Sequence, residues 1–86
     1  MKIIKIGAIW CTSCILVKNN LDKVLKQYPN ITLEEYDIDF DEDIVKDYNP
    51  GTKLPVLIVL KDGKEINRQV GELNKKELIN MIEGSK

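Results

Sequence analysis

No histidine occurs anywhere in the 86 residues. That absence removes every mechanism built on imidazole: a Cys-His nucleophile pair, a Ser-His-Asp triad and a His-ligated zinc. Soft chemistry is left to two cysteines, Cys11 and Cys14. A four-thiolate zinc site within one chain lacks its second pair of ligands, although two chains could together hold a metal or an iron-sulfur cluster. No apolar run approaches the ~20 residues that span a bilayer, and the opening residues Met1 to Gly7 lack the length and cleavage site of a signal peptide. The expectation is a cytoplasmic chain with no membrane segment. Five glycines and three prolines are too few for collagen-like or low-complexity sequences. Neither charge is in surplus: 13 basic against 14 acidic side chains give a net charge of -1, which disfavours nucleic acid as a partner. A chain of 86 residues has material for one core, so residues 1–86 are expected to form a single, monomeric domain.

What is present falls in a clear order. Ile3, Ile4 and Ile6 make a short β-branched run stopped by Gly7, the pattern of a strand buried on both faces. From Cys14, the residues Val17, Leu21, Val24, Leu25 and Tyr28 share one helical face until Pro29-Asn30 ends it. Ile31 to Ile38 has strand character. Asp41, Glu42 and Asp43 suit the start of a short helix carrying Ile44, Val45 and Tyr48, broken by Asn49-Pro50-Gly51. Val56 to Leu60 is a continuous apolar strand, which Asp62-Gly63 turns into a second one from about Glu65 to Val70. Asn74 and Glu77 form a capping box for a last helix, with Leu73 stapled to Leu78 and with Met81 and Ile82 buried. The order βαβαββα describes an α/β domain with a four-stranded mixed sheet flanked by three helices. Helix crossovers would make the first strands parallel, and the hairpin makes the last pair antiparallel.

Cys11-Thr12-Ser13-Cys14 stands where the first strand gives way to the first helix, and a C-x-x-C at such a junction suggests a redox motif. Amides and the positive dipole end of the first helical turn favour a thiolate there, so Cys11 is the expected nucleophile. Cys14 lies on the apolar face and is the expected resolving thiol: it attacks the mixed disulfide formed by Cys11, leaving a redox-active Cys11–Cys14 disulfide. No bound cofactor is then required. The hydroxyls of Thr12 and Ser13 could donate to the Cys11 sulfur or cap the helix, and capping is the preferred reading.

Trp10-Cys11-Thr12-Ser13-Cys14, Leu54-Pro55-Val56 and Val70-Gly71 occur in the order and rough spacing of thioredoxins, and Tyr36-Asp37-Ile38-Asp39 and Lys61-Asp62-Gly63-Lys64 have counterparts there too. Over nearly its whole length the sequence resembles a minimal thioredoxin. It has no extra amino-terminal strand and helix, which brings its length and element order close to glutaredoxins. The resemblance implies a thiol-disulfide oxidoreductase that reduces protein disulfides and is recharged by a thioredoxin-reductase-like protein or by glutathione. A glutathione-dependent, glutaredoxin-like activity is the alternative within the enzyme class. Outside it stands a non-enzymatic module binding a partner or a metal through the same thiols. The resemblance also implies that Pro55 is cis, with the Leu54 backbone beside the cysteines; without it, Pro55 reads as an ordinary strand-start proline. Ile9, Trp10, Leu54 and Gly71 would then form an apolar collar for an extended substrate segment.

Two departures bear on chemistry. Thr12-Ser13 replaces the residues usually found between the cysteines of thioredoxins and glutaredoxins. Thioredoxins place an acid six residues before the first cysteine and a lysine on the next strand, whereas this chain has Lys5 and Glu35. A reversed ion pair below Cys14 is expected, with Glu35 as proton acceptor; alternatively both side chains snorkel to solvent. Asp37-Ile38-Asp39-Phe40-Asp41 imitates a calcium loop, but Glu42 and Tyr48 fall where that loop needs Gly and Glu. Those acids are expected to solvate a strand end and a helix start, or to steer a basic partner.

Overall fold

Burial of Ile3, Ile4 and Ile6 is complete because their strand, β1 (Lys2–Gly7), lies inside the sheet. In the computed structural model, which describes residues 1–86, β1 is followed by α1 (Thr12–Leu25), β2 (Thr32–Asp37) and α2 (Glu42–Val45). A 3-10 turn at Lys46–Tyr48, the hairpin of β3 (Val56–Lys61) and β4 (Lys64–Val70), and α3 (Lys75–Gly84) complete the chain. Asp62 and Gly63 take the left-handed conformations of a tight hairpin turn, at φ 54° and 81°. The sheet order is β2-β1-β3-β4. β1 pairs parallel with β2 and antiparallel with β3, and β4 pairs antiparallel with β3. No helix is long and apolar enough to cross a membrane.

The direction of β3 corrects the expectation of a second crossover. A four-residue helix rises only about 6 Å, whereas a six-residue strand spans about 20 Å. Instead of crossing the sheet after β2, the chain re-enters it at the end it left. Gly7 pairs with Asp37, while Val56 pairs with Ile6 and Val70. Four connections consequently gather at one end of the sheet: residues 8–11, 38–41, 49–55 and 71–74.

Alternation along β1 divides the core. Ile3 packs with Leu57, Val59, the α1 residues Val17, Leu21 and Val24, and Leu78, Met81 and Ile82 of α3. Ile4 and Ile6 face the other way, onto Val45, Val56 and Ile58. Lys5 and Gly7 thus follow Ile3 on the face covered by α1.

Helix ends differ from the sequence reading in instructive ways. α1 stops at Leu25, and the N–H groups of Gln27 and Tyr28 bond three residues back, to Val24 and Leu25, tightening the turn before Pro29. At its start, Cys11 itself takes the cap position expected of Thr12 or Ser13, which lie inside the first turn. The short helix splits into α2 and the 3-10 turn, burying Val45 and leaving Ile44 exposed. α3 follows its sequence: Glu77 N–H donates to Asn74 Oδ1 at 2.8 Å, and Asn74 N–H donates to Glu77 Oε1 at 3.1 Å, closing the capping box.

Candidate functional site

Cys11 and Cys14 are free thiols on the first turn of α1. Cys11 N–H donates to the Ala8 carbonyl at 3.1 Å, which turns the chain from strand to helix. As the cap residue, Cys11 faces the unpaired amides of the first turn, and the Cys14 N–H reaches its sulfur at 3.2 Å. Negative charge on that sulfur gains a charge-assisted hydrogen bond. Cys14 is only 2% exposed. Burial pushes its thiol up to about 11, hydrogen bonding to Cys11 acts in the same sense, and the Ala8 backbone and the Lys5 charge oppose. One sulfur is open and hydrogen-bonded, and the other is sheltered and protonated at neutral pH.

Acids from the end of β2 hold the loop that leads to Cys11. Asp37 Oδ2 accepts the Ile9 N–H at 3.1 Å, and Asp39 Oδ2 accepts the Trp10 Nε1–H at 2.9 Å. Asp37 Oδ1 also accepts from the Asp39 and Phe40 amides, and Asp41 Oδ2 accepts from the Asp37 amide. These carboxylates fold two loops onto each other. Ile9 and Trp10 remain 73% and 66% exposed, an apolar surface next to Cys11. The sequence reading missed these anchors. Aspartates closing a strand a few residues before a helix, where side chains bond nearby amides in Asx turns, were the available signal.

Lys5 and Glu35 are register partners across β1 and β2. The Lys5 side chain is buried, with its Nζ 4.0 Å from Glu35 Oε2. Glu35 is 36% exposed, and its other oxygen lies 2.7 Å from Lys18 Nζ of α1. The exchanged charges therefore face each other, joined by Lys18, a third charge that no local sequence pattern places there. Gly7 lies beside them: a Cβ at that position would sit 2.9 Å from Cys14 Sγ and 3.3 Å from Lys5 Nζ. A depression of about 250 Å³, lined by Lys5, Ala8, Cys14, Ile15, Lys18 and Asn19, opens at the sulfur.

The Leu54–Pro55 peptide bond is cis. Pro55 is buried and Leu54 half-buried. Gly71, at φ 95°, donates its N–H to the Pro55 carbonyl at 2.9 Å. Strand register brings this pair to the cysteine end of the sheet, because Val56 lies between Ile6 and Val70. No group of three or more His, Cys, Asp or Glu side chains is arranged to hold a metal ion.

Known proteins resemble this chain in sequence and in fold. The thioredoxin of Chlamydia trachomatis is 35% identical over 75 residues, covering 87% of this chain and 72% of that protein. The thioredoxin of Echinococcus granulosus is 35% identical over 74 residues, covering 84% and 68%. The X-ray structure of Fasciola hepatica thioredoxin matches with a TM-score of 0.88 at 27% identity, over 99% of this chain and 80% of that one. The family model described as Thioredoxin matches residues 1–84. A strand-to-helix dithiol on this sheet, matched over nearly the whole chain, places the protein in the thioredoxin family, whose members are thiol-disulfide oxidoreductases.

Proposed function

We propose that the chain reduces disulfides in other proteins, cycling Cys11 and Cys14 between a dithiol and an intramolecular disulfide. The asymmetry of the two sulfurs carries this reading: Cys11 is partly exposed at the helix cap and accepts the Cys14 amide at 3.2 Å, whereas Cys14 is buried. The Cys11 thiolate attacks one sulfur of the substrate disulfide. A Cys11–substrate bond forms as the substrate bond breaks, and the leaving sulfur takes a proton. The Cys14 thiolate then attacks Cys11 Sγ, closing the Cys11–Cys14 bond and releasing the second substrate sulfur, which is also protonated. Two electrons and two protons pass to the substrate, so the dithiol needs no bound cofactor.

Trp10, Leu54 with the cis Pro55, and Gly71 share the cysteine end of the sheet and form the platform for an extended substrate segment. A thioredoxin-reductase-like protein or glutathione returns the electrons. The cytoplasm, where thiols are kept reduced, is the fitting compartment. One chain carries both thiols and works as a monomer.

Insulin-disulfide reduction tests the reading, first with NADPH and thioredoxin reductase, then with glutathione and its reductase. Turnover with the first donor is expected, and Cys11→Ser should lower it by more than about 100-fold. Turnover with glutathione alone would make the activity glutaredoxin-like. Silence with both donors, together with stoichiometric metal in the purified protein, would replace the enzyme with a binding module.

A further inference from the structure

We infer that Lys5 promotes the second exchange step by placing its ammonium group beside the Cys14 sulfur, across the gap at Gly7; the inference rests on the disulfide exchange proposed above. A buried ammonium is costly unless a partner compensates it at close range. Lys5 has only a stretched one. Its nearest carboxylate oxygen, on Glu35, is 4.0 Å away, and the same carboxylate is gripped by Lys18 at 2.7 Å. The neighbouring pair on the same two strands shows what a closed ion pair looks like here: Lys2 meets Glu34 at 2.9 Å. The Lys5 pair is long by comparison, and its ammonium remains available to the sulfur beside it.

Its ammonium and the Cys14 sulfur instead share the space left by Gly7. Both lie within 3.3 Å of where a side chain at that position would begin. Glycine inside a strand weakens it and marks a close approach, and here the approach joins a sulfur to a positive charge. Lys5 also lines the depression beside Cys14 and the adjoining one bordered by Glu35, Tyr36, Asp37 and Asp41. Cys14 and Lys18 face it from α1, and Glu35 and Asp37 face it from β2.

In the mixed disulfide, the Cys14 thiol gives its proton to water in that depression. The Lys5 charge stabilises the resulting thiolate, whose electron pair forms the bond to Cys11 Sγ. The substrate sulfur leaves with the electron pair of the broken bond and takes a proton from solvent. Glu35 acts against this by partly neutralising Lys5, and Lys18 relieves it by drawing the carboxylate away.

The reduced protein is mixed with one equivalent of dithiobis(nitrobenzoate), which releases one coloured thiolate when Cys11 attacks and a second when Cys14 resolves. In Lys5→Met the first phase should be unchanged, while the second slows about tenfold near pH 7 and its pH midpoint moves upward. Lys5→Arg should keep most of the normal rate. Glu35→Gln, at an exposed position, should accelerate the second phase. A normal second phase in Lys5→Met would overturn the inference. So would a slowed or unchanged one in Glu35→Gln, with slowing returning proton acceptance to Glu35. Should Lys5→Met fail to fold, Glu35→Gln decides alone. Absence of a second phase in the unaltered protein would overturn the exchange mechanism itself.

Discussion

At Gly7 a single methyl group would reach into the site. It would lie 2.9 Å from Cys14 Sγ and 3.2 Å from Cys14 Cβ, closer than packed atoms tolerate. Overpacking of this kind costs about 1–3 kcal/mol. Gly7→Ala should therefore lower stability to denaturant by that amount and displace Cys14 away from Lys5; equal or greater stability would show that α1 shifts freely over β1. The placement of Cys11 and Cys14 was legible in the sequence, because a spacing of three on an amphipathic helix puts one thiol at the mouth and the other on the buried face. The exchange of Lys5 and Glu35 was legible as well. Lys18 and Gly7 were not, since their approach depends on how α1 lies across β1, and no local pattern encodes that. The cap was misread for a related reason: a cysteine sulfur, not a hydroxyl, receives the first-turn amide.

Between the 3-10 turn and β3, the segment that ends in Leu54–Pro55 has no helix or strand of its own. Arg68 of β4 fastens its start. Its Nη2–H donates to the Tyr48 carbonyl at 2.6 Å and its Nη1–H to the Asn49 carbonyl at 2.9 Å, while Glu65 holds the guanidinium at 2.7 and 2.9 Å. Charge-assisted bonds to carbonyls contribute about 1–3 kcal/mol. Arg68→Ala should cost that much stability and speed amide exchange in residues 48–54, with little change in α1; Arg68→Lys, lacking the planar fork, should recover only part. At this scale α3 was the most legible element, because its capping box is local. The direction of β3 was the least legible, because it depends on the route residues 38–55 take between β2 and β3, which no local pattern encodes.

Taken as a whole, the molecule holds the Cys14 proton more tightly than the unfolded chain does. The thiol, near 9.0 when free, is pushed up to about 11 by burial. Its contribution to stability is complete below about pH 9 and is lost as pH rises through 11. Thermal unfolding followed from about pH 8 to 11 should show this fall, and Cys14→Ser should flatten it. Tyr36, pushed up to about 12 by its hydrogen bond to Glu34 and by burial, leaves a residual slope of the same sign. During synthesis, Ile3, Ile4 and Ile6 leave the ribosome well before the strands that flank β1. β2 supplies one side at residues 32–37 and β3 the other only at residues 56–61. At about 5–20 residues per second, the apolar centre of the sheet stays uncovered for several seconds, an interval in which a holdase chaperone can seize the nascent chain.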